Sequence, residues 1–247
     1  RTFRSPSLAE KGPDSVFVGI DTVRPVISHT PVDYYFEKVD TIPFSATVTD
    51  NLGVDTVYIE YILNNNPVKT FGLHPDGRDK FSSNVNVRPW LLKGGDSISY
   101  RIIAVDRAQS HNKKVLPASG FYVIKVEALS SVVKYYSTSF TNTGNDFFSK
   151  GFSIEQPSGF GSLSLNSEHP YKSPDEDGKS LNFSSILRHP IIFDASGLVI
   201  SYRELVLVEP GEEGSLYGFS DFYDYVVVEA SSDYGKSWFP LADGYDS

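Results

Sequence analysis

The sequence predicts an all-β protein made of two β-sandwich domains in tandem, on three observations. Alternating apolar and polar residues recur in runs of five to eight, the period-two signature of strands with one buried face. No apolar stripe at i, i+3, i+4, i+7 spacing persists long enough for an amphipathic helix. Third, the 17 Phe and 15 Tyr, with Val and Ile in short runs, suit a pleated, half-buried surface. With 247 residues and 40% hydrophobic side chains, the chain can bury a core and is not disordered as a whole.

Residues 1–20 form a lead-in. RTFRSPSLAEKGPDS is polar and linker-like, and SVFVGI is the end of an upstream domain or an edge strand. The first sandwich spans 21–127 with strands expected in IPFSATVTDNLGV, VYIEYIL, KFSSNVNV, LLKGGDSISYRIIAVDRA and GFYVIKVE. In VDTVYIEYIL, Val57, Ile59 and Tyr61 share one face while Tyr58 and Glu60 alternate outward. In DSISYRIIAVD, Ile98, Tyr100, Ile102 and Ala104 share a face. The clusters TDNLG (49–53), NNNP (64–67), HPDGRD (74–79) and KGGD (93–96) mark the turns between strands. A junction follows, with a linker over 128–135. The second sandwich spans 136–247, with segments starting at GFSIEQPSGFG, SLNFSSILRHPIIF, LVISYRELVLVEPGEEG and FYDYVVVEASSDYGKSWFPLADGYDS. Val226, Val228 and Ala230 share a face of the last.

Two resemblances refine this. Thr49, Asp50, Asn51, Gly53 and Val54 match a TDNxGV corner, and Gly95, Asp96, Tyr100, Ile102, Ala104 and Asp106 match a GDxxxYxIxAxD strand. Over these roughly 100 residues the chain resembles bacterial immunoglobulin-like or fibronectin-type-III-like modules of secreted proteins. The resemblance places Tyr100 at a tyrosine corner, its hydroxyl returning to an upstream backbone group, and sets Trp90 as a cap on one end of the core. It implies a fold and is silent on chemistry. In the second half, Ser201, Tyr202, Glu204 and Leu207 to Glu212 match one strand, and Phe222 to Tyr225, Glu229, Ser231, Asp233, Gly235 and Trp238 match a hairpin. These resemble the jelly-roll modules that accompany secreted metallopeptidases of the immune-inhibitor type, and the MAM-like modules of large Bacteroidetes surface proteins. Those modules continue for several strands past the point matched by Ser247, so the resemblance implies an incomplete second sandwich. The start at Arg1 and the lack of any Met imply a processed or excised piece.

SSDYGKSW, residues 231–238, fits Ser-x-Asp-x-Gly-x-x-Trp, the Asp-box that sialidases carry in several copies and that many non-catalytic β proteins also carry. Its chemistry is that of a turn. Asp233 can accept from backbone N–H groups a few residues on, Gly235 can take a positive φ, Ser231 can tie the incoming strand to the turn, and Trp238 can cover the hairpin. A sialidase needs several such boxes and an arginine cluster, whereas the second half holds two Arg, Arg188 and Arg203. No His-Glu-x-x-His, Gly-x-Ser-x-Gly or phosphate-loop pattern occurs. His169 and His189 each precede Pro and read as turns or strand entries. The absence of Cys excludes disulfides, thiolate metal sites and Cys nucleophiles. No catalytic residue is assigned.

Net charge is −9, and it is uneven: residues 1–131 hold 15 Lys and Arg against 14 Asp and Glu, and residues 132–247 hold 7 against 17. The acidic half opposes nucleic acid and anionic membranes as partners, and no apolar stretch is long enough for a membrane span. It suits a cation. Glu209, Glu212, Glu213, Asp221 and Asp224 crowd two neighbouring segments, and SPDEDG (173–178) is a third acidic loop. They are either a solvated acidic edge or ligands of a structural Ca²⁺, which takes oxygen donors. Tyr217, Phe219, Phe222 and Tyr223 lie beside them, either as core or as rings on which a sugar stacks. The expectation is therefore of non-catalytic spacer and binding modules of a large secreted or bacterial cell-surface protein. Their partners would be neighbouring domains of the parent and a glycan or surface protein. The alternative is the accessory region of a secreted hydrolase, such as a metallopeptidase, whose catalytic domain lies outside this chain.

Overall fold

In a computed structural model of the chain, residues 20–172, 180–192, 197 and 199–246 are described. The lead-in, Ile20 apart, and the SPDEDG loop lie outside them. Regular structure among the described residues is β throughout, apart from one 3-10 turn at Arg88–Trp90. The all-β class read from alternation and composition is what the chain adopts. Its contacts divide into two units. One comprises the residues up to Pro31, Pro43–Asn84 and Ser99–Tyr122; the other comprises Val32–Ile42, Val85–Ile98 and the chain from Val123.

In the first unit, strands β1 (Val26–Ser28), β3 (Thr41–Thr49), β6 (Lys80–Asn86), β5 (Lys69–Pro75), β4 (Val54–Leu63) and β7 (Ser97–Asp106) are hydrogen-bonded in that order, with β8 (Lys113–Leu116) on β7. Alternation dictates the buried face. In β3, Phe44, Ala46 and Val48 are buried between exposed neighbours, and in β4 Val57, Ile59 and Tyr61 are buried, as their spacing predicts. In β7 the expected face of Ile98, Tyr100, Ile102 and Ala104 is buried and runs on to Asp106, and Ile103 on the opposite face is buried as well. β7 is thus covered on both sides at Ile103, which no period-two argument foresees. Turns close where Gly and Asn permit positive φ, at Gly53 between β3 and β4 and at Asn64 after β4. Glu60 and Arg101 form an ion pair at 2.5 Å on the outward face.

The Tyr100 hydroxyl meets a side chain, His29, at 2.7 Å from Nε2, while His29 Nδ1 lies 2.7 Å from the Ser45 carbonyl. A carbonyl can only accept, so Nδ1 carries the proton and Nε2 accepts from Tyr100. Burial holds the His29 pKa below its ordinary value, in keeping with that neutral ring.

In the second unit, β2 (Tyr34–Phe36) runs parallel to β9 (Tyr122–Glu127), and Val126 of β9 exchanges backbone bonds with Gly95 and Asp96 before β7. Tyr35, Phe36, Val39, Ile42, Val87, Leu92, Ile98, Ile124 and Val126 form the core here. Beyond Ala128 the strands are short and pair two by two: β10 (Phe147–Lys150) with β13 (Ser184–Leu187), β11 (Phe152–Glu155) with β12 (Ser164–Ser167), and β14 (Glu229–Ala230) with β15 (Phe239–Pro240). No apolar side chain described beyond Ala128 is fully buried. A strand with a single neighbour and no opposing sheet covers only part of its faces.

The expected strand in LVISYRELVLVEP carries no ladder among its described residues, 199–210. Its alternation is that of a strand, but a strand exists only where a partner takes its N–H and C=O groups. Val199, Ile200, Leu205 and Leu207 remain half exposed or more.

Candidate functional site

The hairpin that joins β14 to β15 is built by one carboxylate. Asp233 Oδ1 accepts from the Ser231 hydroxyl at 2.9 Å, the Lys236 N–H at 3.1 Å and the Ser237 N–H at 2.8 Å, while Oδ2 accepts the Ser237 hydroxyl at 2.6 Å. The Ser231 oxygen accepts in turn from the N–H groups of Asp233 and Gly235. The Ser237 hydroxyl is the leading cause of an Asp233 pKa held down to about 2. Gly235 takes φ +82°, and Trp238 donates its indole N–H to the Gly235 carbonyl at 3.2 Å. The bonds of Ser231 and Asp233 and the positive φ of Gly235 are those of a turn, to which Trp238 adds its indole N–H.

The hairpin does more than turn. Lys236 Nζ donates to Thr41 Oγ1 at 2.8 Å and lies 3.6 Å from Asp40 Oδ1. Arg88 holds the other Asp40 oxygen at 3.0 Å and is the main reason its carboxyl titrates below the usual range. A Cβ on Gly235 would sit 2.9 Å from the Phe36 ring, so glycine is required there for close approach as well as for φ. Between the hairpin and the segments 37–40 and 87–93 lies a cleft of about 650 Å³ whose lining includes Lys38, Arg88, Lys93 and Lys236 together with Glu37, Asp40 and Asp233.

Further ties bind the same unit. Arg188 pairs with Glu127 at 2.7 Å, donates to the Ala128 carbonyl at 2.7 Å and lies over the Phe148 ring at 5.3 Å. Lys150 pairs with Asp33 at 2.5 Å and lies over Tyr34 at 4.4 Å. Glu37 accepts the N–H groups of Gly94 and Leu129. None of these was legible in the sequence, because each joins a charged side chain that looks like ordinary surface to a partner far off in the chain.

The acidic and aromatic residues of 209–225 separate into two groups. Tyr217 and Phe222 pack against Tyr225, with centroids 5.0 and 6.0 Å from it, and form a small aromatic cluster. Phe219 and Tyr223 face solvent, at 64% and 46% exposure. Tyr223 donates to Glu212 at 2.9 Å, and that bond leads the upward shift of its pKa. The Tyr171 hydroxyl donates to Asp224 and accepts the Glu209 N–H at 2.9 Å. Two of the carboxylates expected to hold Ca²⁺, Glu212 and Asp224, are thus engaged with tyrosines. Among the described residues, Glu209, Glu212, Asp221 and Asp224 do not gather three carboxylate oxygens at a common point. Trp90 closes the 3-10 turn, half-buried, beside Leu91 in a left-handed conformation. Among the described residues, three carboxylates converge in the first unit, at Asp21, Asp50 and Asp106.

No family model matches the chain, and no curated protein does. Among the described residues no helix is long and apolar enough to cross a membrane.

Proposed function

We propose that the chain is a pair of non-catalytic spacer and binding modules from a large secreted or cell-surface protein, immunoglobulin-like and then jelly-roll-like. Neighbouring domains of that protein, and a glycan or surface protein, would be its partners. The observation that carries the reading is the use made of Asp233. In the one stretch with an enzyme-like signature, both carboxylate oxygens are taken by the loop's own donors, which suits a staple and leaves little for an acid or base to do. Binding rests on Phe219 and Tyr223, two exposed rings, the second of them bonded to Glu212. An apolar ring face with a nearby carboxylate is what a sugar's C–H face and hydroxyls require.

The test uses the purified chain on panels of glycan and peptide substrates, and on the same glycans immobilised. No turnover is expected, with binding that weakens about tenfold or more in a Phe219→Ala, Tyr223→Ala double variant, the loss of roughly 1.4 kcal/mol of contact. Turnover by the purified chain overturns the non-catalytic reading. Glycan binding unchanged in the double variant removes these rings from it.

A further inference from the structure

Three segments of the first unit bring a carboxylate to the same place. Asp21 precedes β1, Asp50 follows β3 at the turn into β4, and Asp106 ends β7. One carboxylate oxygen from each lies within 4.8 Å of the other two. Two oxygens sharing one Ca²⁺ at 2.3–2.6 Å are at most about 5 Å apart, so the spacing is that of ligands around a single ion.

Burial makes the arrangement costly without a cation. Asp21 is 5% exposed and Asp106 is fully buried. The Oδ2 atoms of Asp21 and Asp50 are both shut off from solvent with no hydrogen-bond donor. Buried polar atoms are nearly always partnered, and buried charges are paired or bind metal. Here two orphaned oxygens belong to two of three converging carboxylates. Among the described residues no Lys or Arg nitrogen pairs with any of the three. Arg107, next to Asp106, instead donates its Nε to the Val54 carbonyl at 3.1 Å.

The remaining oxygens hold the carboxylates in place. Asp21 Oδ1 accepts from the Val23 N–H and the Asn51 amide, Asp50 Oδ1 from the Leu52 N–H, and Asp106 from the N–H groups of Ala108 and Asn112 and the Asn112 amide. Ser110 and Asn112 both donate to the Asp21 carbonyl, at 2.7 and 3.0 Å. The site is therefore built before any ion arrives. It offers oxygen donors and no His or Cys, which selects a hard cation over Zn²⁺.

We propose that Asp21, Asp50 and Asp106 bind one Ca²⁺ ion, with waters or carbonyls completing its 6–8 oxygen ligands. The ion cross-links the chain ahead of β1 to the β3–β4 turn and to the end of β7, and its binding free energy adds to the stability of that unit. This stands apart from the glycan reading and from the acidic residues of 209–224.

The test is thermal unfolding of the full chain, stripped with EDTA and then titrated with CaCl₂ to about 10 mM, beyond the 10⁻⁴–10⁻³ M affinities of extracellular sites. Bound calcium is counted by elemental analysis after gel filtration in Ca²⁺ buffer. A rise in Tm of at least about 5 °C is expected, with one ion bound per chain through these residues. Asp21→Asn and Asp50→Asn each remove that ion and the rise, while Glu212→Gln keeps both. Because each Asn also removes one repelling charge, both variants melt no lower than the wild type in EDTA. That outcome separates metal binding from a structural role, in which the variants would be weaker with and without Ca²⁺. Asp50 is half-exposed, so its variant localises the site even if Asp21→Asn fails to fold. No rise and no retained calcium in the wild type overturns the proposal, as does a rise that persists in both Asn variants. Stabilisation by Mg²⁺ without Ca²⁺ overturns the choice of ion.

Discussion

Asp233 shows how far one carboxylate can organise a loop. Its ordinary pKa of 3.8 falls to about 2 because the folded loop supplies donors, the Ser237 hydroxyl first. A depressed acid is stabilising while it stays ionised. Its contribution is therefore complete above about pH 4 and is lost as pH falls through the folded value. Replacing Asp233 with Ala should cost about 1–2 kcal/mol at pH 7, as for a lost capping residue. The difference in Tm between wild type and Asp233→Ala should shrink as the pH is lowered from 4.5 towards about 2. A difference that stays constant across that window would show that the carboxylate's charge does not support the turn.

Elements in this chain are specified to very different degrees. β3, β4, β6, β7 and β9 fall within segments where strands are expected, and in β3, β4 and β9 alternate residues are buried on one face. β1, β2 and β8 have three or four residues, too few for a period to stand out. β5 has an exposed glycine at Gly72 in the middle of its run and an aromatic only half-buried at Phe71. Such strands are defined by the neighbour that pairs with them. The β14–β15 hairpin is the opposite case: its strands are two residues each, but its turn is written in the sequence. Gly235→Ala should destabilise the hairpin by about 1–3 kcal/mol, from positive φ and from collision with Phe36. Hydrogen exchange of the Lys236 and Ser237 amides is the measurement. Exchange no faster than wild type would mean that Phe36 yields and that the close approach matters little.

At the scale of the whole molecule, charge is the property most readily read from sequence and least informative about contacts. The net −9 is concentrated after residue 131, yet the ties that structure the second unit use the few cations there, Lys150, Arg188 and Lys236. Arg188 is the most enclosed, its side chain 15% exposed against 20% for Glu127. Arg188→Ala leaves Glu127 without its partner and the Ala128 carbonyl without its donor. It should lower unfolding free energy by about 1–3 kcal/mol, between the values for exposed and buried pairs. Arg188→Lys should recover only part of this, because an ammonium cannot make the two-pronged contact or lie flat on Phe148. Urea midpoints for the two variants decide it; an unchanged midpoint in Arg188→Ala would assign the pair to the surface.

By itself the sequence determined the β class, the faces of the long strands and the chemistry of the Asp233 turn. These are local properties: a period, a composition, and bonds between residues within four positions of one another. Tertiary structure alone decided the pairing of the short strands, the failure of 199–210 to find a ladder, the grip of Lys236 on Thr41, and the convergence of Asp21, Asp50 and Asp106. Asp50 and Asp106 could be seen as corner residues, and Asp21 marked the start of a module, but nothing in their spacing placed the three together. Long-range contact depends on how strands order in a sheet, and a one-dimensional pattern fixes each strand's face without fixing its neighbours.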